Sequence, residues 1–534
     1  MEGQGSWLVE TKGYGIANAN GTKVTPDTIF GIGSNSKLFD ILATGLLISN
    51  DSISPPISWT TKLASVISGW NLTDPVASSE STITDLMGHR TGMPAHDFSY
   101  FVLNDTIPAM LQRLQHLKPS TGFREVYQYN NFMYAALSYL PTALLPHQPP
   151  FASYVKDNII DPLGMNSTTY SFAVANATGR LADGFAREGV NTTADPLAAG
   201  IPHALPFWLA DIDDDHNTLW GPGGVLSTVV DAARWLQMLL SNGQDPTTNA
   251  TIIPSSVIQM AATGVTVVTG NTPEPELSPP VYGGGQVQWS YRGHDTVEHN
   301  GGFPGFFTQI TRFPNDGVGL AVFTNEDPAL GLGFYTNNII KYRLMDEIFG
   351  LDPVDWNSRY KDQAEQAALS VAALTSSPAP FDASLPFSLA AVEGNYRNLG
   401  YGPDIALCAP SVKSSNCSVL LARLNSTFPA ELAQADLVWE WDSRMATYVS
   451  LTHFDGPLFN VSAWVPMPTG NASTPFWAYD SGLEGNVAEF ALVEGKVSGF
   501  GIRGGIWIAG PTVGEPQGTS VEDRSEVFFD AVGW

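Results

Sequence analysis

The stretch Phe30-Gly31-Ile32-Gly33-Ser34-Asn35-Ser36-Lys37-Leu38-Phe39 restricts the fold more than any other. Beyond it, Leu38, Phe39, Ile41, Leu42, Leu46, Leu47 and Ile48 predict a helix that is apolar nearly all round, and such a helix belongs in an interior. Lys37 therefore enters that interior near the first turn. Gly31 and Gly33 permit a tight turn with close backbone approach. Ser34 and Lys37 are three apart and share one helix face. A serine hydroxyl is a weak nucleophile until a base takes its proton, and a lysine is such a base only when burial or a nearby cation keeps it neutral. The competing reading of Ser34 is an N-cap. The same spacing recurs at Ser153/Lys156 and Ser358/Lys361, but in amphipathic stretches that read as solvated helix faces.

Two further segments offer partners. Tyr129-Asn130-Asn131-Phe132-Met133-Tyr134 leads into a helical pattern. A phenol there can move a proton, and an asparagine amide can hold a carbonyl or an amine; alternatively the asparagines cap the helix beside a core tyrosine. His299-Asn300-Gly301-Gly302-Phe303-Pro304-Gly305-Phe306 precedes two strand-like runs, Phe306 to Phe313 and Val318 to Thr324, joined by the hairpin signal Pro314-Asn315-Asp316-Gly317. Glycines in a strand let backbone approach a ligand, and a bare N–H at Gly302 could face a developing oxyanion; the alternative is a glycine-rich turn with a surface histidine.

Taken in order, Ser34/Lys37, Tyr129/Asn131 and His299/Gly301 resemble the Ser-x-x-Lys, Tyr-x-Asn and His-x-Gly motifs of the serine β-lactamase and penicillin-binding-protein superfamily. The branch is that of class C β-lactamases, D-Ala-D-Ala carboxypeptidases and esterases (peptidase family S12), and the pattern is similar to fungal secreted β-lactamase-like proteins. Gly13-Tyr14-Gly15, Leu86 to Pro94, Pro162-Leu163-Gly164-Met165 and Gly221 to Thr228 fit the same family, so the resemblance runs over roughly residues 5 to 350. It implies an α/β (α+β) fold, with an antiparallel sheet flanked by helices and a helical subdomain. It also implies roles. Ser34 attacks a carbonyl and is acylated, and Lys37 accepts its proton directly or through Tyr129. Tyr129 protonates the leaving group, and Asn131 orients the substrate. The N–H groups of Ser34 and Gly302 form an oxyanion hole, and His299 lines the pocket where relatives often carry lysine. Histidine titrates near pH 6.5, so binding of a substrate carboxylate is expected to weaken as pH rises. The family's N-terminal helix and first strand have no counterpart before Ser6-Trp7-Leu8-Val9, which is expected to leave part of the sheet unpaired.

The 534 residues exceed one ordinary core. Domains are read at 1–352, for the hydrolase-like part, and at 385–534, a β-rich part with repeated hairpins similar to the lipocalin-like C-terminal domain of relatives. Between them, 353–384 is a helical segment with a linker at Thr375-Ser376-Ser377-Pro378-Ala379-Pro380. Thr228 to Leu240 reads as a helix opened by a capping box with Asp231. With 25 Lys+Arg against 52 Asp+Glu, the net charge of −27 disfavours nucleic acid and anionic membranes as partners. No run of some eighteen apolar residues predicts a membrane span. Met1-Glu2-Gly3 does not begin a secretory signal. Yet Asn20, Asn71, Asn104, Asn166, Asn176, Asn191, Asn249, Asn416, Asn425, Asn460 and Asn471 each open an Asn-x-Ser/Thr sequon, which suggests a secreted glycoprotein. Cys408 and Cys417 either close a small disulfide loop across a hairpin or stay as inert thiols. No zinc-type spacing occurs, and the acidic run from Asp211 to His216 lacks the glycine and distal glutamate of a calcium loop, so no cofactor is expected. The expected activity is metal-independent hydrolysis of an ester or amide in a small-molecule or peptide-like acyl substrate. The alternatives are an acyltransferase or esterase acting on a fungal secondary metabolite, and an inactive binding protein on the same fold.

Overall fold

The computed structural model describes residues 7–532, apart from 103–104, 191–194, 196, 213–216, 328–331, 376–383, 413 and 511. The linker expected at 375–380 and most of the acidic run at 211–216 thus lie outside the described residues.

The apolar helix predicted after Lys37 is α1 (Lys37–Ile48), buried along nearly its whole length. The helix after Tyr129 is α2 (Asn131–Ser138), and α3 covers Val229–Leu240. Six strands form an antiparallel meander in sequence order: β1 (Thr266–Val267), β2 (Val281–Tyr282), β3 (Val287–Tyr291), β4 (His294–Phe303), β5 (Phe306–Phe313) and β6 (Val318–Thr324). The predicted hairpin is present, with Val318 paired to Phe313. Every residue of β5 is buried, because both faces of the sheet are covered. The turn that carries Ser34 packs on β4 and β5, while α4 (Leu332–Phe349) packs on β5 and β6. Among the described residues β6 pairs only with β5. Helix α5 (Trp356–Thr375) follows. The Thr228 hydroxyl accepts from the Asp231 N–H at 3.1 Å, but the Asp231 carboxylate turns away to Ser167 and Thr168. Only half of the expected capping box forms.

The C-terminal region contains β7 (Gly394–Arg397), β8 (Ile405–Leu407), β9 (Leu437–Glu440), β10 (Tyr448–Asp455), β11 (Leu458–Asn471), β12 (Thr474–Asp480), β13 (Val487–Val493), β14 (Lys496–Arg503) and β15 (Val527–Val532). They are ordered β8-β7-β15-β14-β13-β11-β10-β9, with β12 beside β11. Reciprocal hydrogen bonds between Cys408 and Val438, at 2.9 and 2.8 Å, join the two ends. The sheet therefore nearly closes into a barrel, which removes the open edges an open sheet would expose. Cys408 and Cys417 are bonded to each other. Their bridge ties the end of β8 to the start of the helix Ser418–Thr427 and does not cross a hairpin.

The barrel docks on the region that carries Ser34 through backbone and side-chain contacts. The N–H groups of Ala95 and His96 donate to Ile508 O and Trp507 O at 3.3 and 2.9 Å. His96 Nδ1 pairs with Tyr401 OH at 2.6 Å, and Gly510 N donates to Gln128 Oε1 at 2.8 Å.

Candidate active site

Ser34 sits in a single 3₁₀ turn, Gly33–Ser36, that runs straight into α1. Its hydroxyl caps nothing. Ser36 instead accepts from the Val225 N–H at 3.0 Å, and the Thr308 hydroxyl of β5 bonds Ile32 O at 2.8 Å and accepts from Asn35 Nδ2 at 2.9 Å. The turn is pinned from two sides. Gly33 has φ +52, and a Cβ there would lie 2.6 Å from Gly302 N; a Cβ on Gly301 would lie 1.9 Å from Ile32 O. Only glycine allows β4 to lie against the backbone of this turn, and the contact places the Gly302 amide beside Gly33, the residue before Ser34.

Lys37 is fully buried. Its Nζ lies 3.0 Å from Ser34 Oγ, 2.6 Å from Asn131 Oδ1 and 2.9 Å from Pro222 O. Tyr129 OH donates to Ser34 Oγ at 2.7 Å. The sequence motifs at 34–37 and 129–131, nearly a hundred residues apart, thus converge on one hydroxyl. The two adjacent asparagines divide the two roles considered for them: Asn130 caps α2 by accepting from Met133 N at 3.3 Å, and Asn131 reaches Lys37. By contrast Ser153, Lys156, Ser358 and Lys361 are all exposed.

Burial lowers the Lys37 pKa to about 7, against the opposing pull of Asp97 and Asp40. A neutral amine has two N–H groups and one lone pair. Asn131 Oδ1 and Pro222 O can only accept, so they use both N–H groups, and the lone pair is left facing the Ser34 hydroxyl. Burial also raises the Tyr129 pKa, which keeps the phenol protonated at neutral pH and able to donate. In that neutral form the proton order is Tyr129 O–H to Ser34 Oγ, and Ser34 O–H to Lys37 Nζ; as an ammonium, Lys37 donates to Ser34 Oγ instead.

His299 departs from its expected behaviour. Burial and the nearby Lys37 push its pKa down to about 3. Nδ1 donates to Asn300 O, so Nε2 is the acceptor for Tyr282 OH at 3.0 Å. The ring is neutral above acid pH, so His299 does not carry the expected weakening of carboxylate binding through pH 6.5.

Several participants carried no recognised motif role. Asn131 Nδ2 donates to Asp97 Oδ1 at 3.2 Å; burial raises the Asp97 pKa, against Asn131 and Lys37. His89 Nδ1 accepts from Asn130 N at 3.1 Å and so fixes the Tyr129–Asn131 segment. Behind His299, Glu298 points to the opposite face of β4 and pairs with Lys341 of α4 at 2.8 and 3.1 Å. The period-two alternation of a strand makes this division possible. Among the described residues no group of three His, Cys, Asp or Glu is placed to hold a metal, and no helix is long and apolar enough to cross a membrane.

The fold and the Ser34–Lys37–Tyr129 cluster define a protein of the serine β-lactamase and penicillin-binding type. The Beta-lactamase family model matches residues 3–341, and the chain belongs to that family. Among curated proteins it is 30% identical over 378 residues to the unguisins hydrolase ungD' of Aspergillus campestris, a match covering 68% of this chain and 65% of that protein. It is 29% identical over 418 residues to the unguisins hydrolase ungD of Aspergillus violaceofuscus, covering 73% and 70%. About a third of each relative thus lies outside the match. Among solved structures, the octameric penicillin-binding protein homologue from Pyrococcus abyssi aligns over 92% of this chain and 91% of its own, with 18% identity and a TM-score of 0.49.

Proposed function

We propose that the protein is a serine hydrolase that opens an amide or ester bond through an acyl-enzyme on Ser34. The observation that carries this reading is the placement of the buried Lys37 amine, with Asn131 Oδ1, Pro222 O and Ser34 Oγ at 2.6, 2.9 and 3.0 Å; once the amine is neutral, the two carbonyl oxygens take its N–H groups and its lone pair is left for the Ser34 hydroxyl. Lys37 takes the Ser34 proton as Oγ bonds to the substrate carbonyl carbon. The N–H groups of Ser34 and Gly302 receive the negative charge that develops on the carbonyl oxygen. As the tetrahedral intermediate collapses, Tyr129 gives its proton to the departing nitrogen or oxygen and recovers one from the Lys37 ammonium. Water then attacks the acyl-enzyme, with the same groups working in reverse order. Asn131 holds Lys37 and offers its amide to the acyl part of the substrate. The names of the two Aspergillus relatives support hydrolysis as the reaction class.

A fluorophosphonate probe tests the reading. It is expected to add one adduct to Ser34 in the wild-type protein and none in Ser34→Ala, with the adduct located by peptide mass spectrometry. A wild-type protein that stays unlabelled, or that labels elsewhere, would falsify the assignment.

Export with N-glycosylation is proposed alongside. All nine sequon asparagines within the described residues are exposed, while Asn104 and Asn191 lie outside them. Expression through a fungal secretory pathway should yield a protein whose mass falls on treatment with an N-glycosidase; an unchanged mass would refute this.

A further inference from the structure

Asp97 opens a short turn, Asp97–Ser99, that both regions of the molecule hold in place. The preceding residue, His96, has φ +51, an uncommon conformation for a non-glycine residue. It persists because its surroundings fix it. The His96 ring joins Tyr401 OH at 2.6 Å and Lys118 O at 2.9 Å, its N–H donates to Trp507 O at 2.9 Å, and the Ser99 hydroxyl donates to Gly400 O. Asp97 is thereby presented in a set position. One carboxylate oxygen accepts from Asn131 Nδ2 at 3.2 Å. The other has no partner among the described residues, and the residue is only half-buried.

Lys37 acts on Asp97 through space, with its own pKa lowered to about 7 by burial, and the other charges nearby are cancelled or neutral. The nearby Asp105 is paired with Arg113 at 2.6 Å. His299 and His89 are neutral above acid pH, since burial lowers both. No arginine or lysine forms an ion pair with Asp97 among the described residues. Asn131 links Lys37 to Asp97, with Oδ1 2.6 Å from Lys37 Nζ and Nδ2 3.2 Å from Asp97 Oδ1, which puts the carboxylate two hydrogen bonds from the Lys37 amine.

We propose that Asp97 is a specificity-determining residue, selecting acyl groups that present an ammonium or N–H donor beside the scissile carbonyl and rejecting those that present a carboxylate. The inference rests on the hydrolase reading above and deepens it. It replaces the positively charged pocket of a carboxylate-binding site with a neutral histidine on one side and an anion on the other. Opposite charges across a binding site favour the match, and like charges exclude the wrong partner.

The test compares three ligands of one skeleton: phenylalanine amide (cationic), its N-acetyl derivative (neutral) and its N-succinyl derivative (anionic). Each competes with fluorophosphonate labelling of Ser34 in the full-length protein. In the wild type the cationic amide should give half-protection at a concentration at least roughly tenfold lower than the succinyl amide. In Asp97→Asn, which keeps the shape and a contact to Asn131, that gap should shrink to about threefold or less, with the cation weakened and the anion improved. Equal protection by all three in the wild type, or an unchanged gap in the variant, overturns the proposal. Calorimetric titration of the same amides reads the preference without acylation. Failure of Ser34 to label, with the cation preference intact by calorimetry, therefore counts against the hydrolase reading and supports the selectivity.

Discussion

Lys37 and Lys341 are both sealed from solvent, at 0% and 1% exposure. Lys341 lies against both oxygens of Glu298, at 2.8 and 3.1 Å, whereas Lys37 touches two carbonyl oxygens and a hydroxyl. Burial lowers both pKa values; Glu298 pulls that of Lys341 back up, and no carboxylate bonded to Lys37 does the same. A desolvated amine beside a carboxylate stays an ammonium and fastens α4 to β4. A desolvated amine among neutral acceptors can give up its proton near neutrality and become a base. The distinction lies in what each amine touches, since burial is common to both.

The comparison breaks most readily at Lys37. Lys37→Met is expected to lower kcat/KM by roughly 10⁴-fold, because nucleophile and base act as a unit, while the unfolding midpoint in urea moves little. A variant that keeps a tenth of the activity would dissolve the contrast. At Lys341 the expected outcome reverses. Lys341→Met strands a buried carboxylate and should cost about 3–5 kcal/mol of stability, measured by denaturant unfolding. The double variant Lys341→Met/Glu298→Leu should recover most of it. Tyr129→Phe is expected to reduce the rate by about 10²–10³-fold, the scale of one general acid, with substrate binding nearly unchanged. The pH profile of kcat/KM sharpens the point further. Lys37 must be unprotonated to act and its pKa is about 7, so activity should rise through pH 7 as the proton leaves; a flat profile between pH 5 and 8 would exclude Lys37 as the titrating base. The smallest effect is expected for His299→Gln, which should leave the shape of that profile unchanged, since a ring with a pKa near 3 is already neutral there.

The sequence made one half of this contrast legible. Ser34, Lys37, Tyr129 and Asn131 lie in short motifs whose spacing follows from helix geometry, and glycines at 33 and 301 signal a close backbone approach. The hairpin of β5 and β6 was also readable, because the turn at 314–317 and the strand-like runs beside it are local signals. Glu298 and Lys341 are 43 residues apart, and nothing in either neighbourhood announces the other; their pairing appears only when α4 folds back on the sheet. The neutrality of His299 was equally hidden, since it depends on the depth of the pocket and on Lys37, neither of which is a property of the His-x-Gly motif. Asp97 escaped notice because a lone acid after Pro94 looks like any loop residue until Asn131 is placed beside it. The barrel's closure depends on a single bridge between Cys408 and Val438, too small a feature for strand patterning to reveal.

The clasp between His96 and Tyr401 makes the turn that carries Asp97 a joint product of two halves of the polypeptide. A trimmed version ending near residue 350 would retain Ser34, Lys37 and Tyr129, yet the turn beside them would lose Tyr401, Gly400, Trp507 and Ile508 as anchors. The position of Asp97 therefore has a handle well away from Ser34, in the barrel residues that anchor its turn.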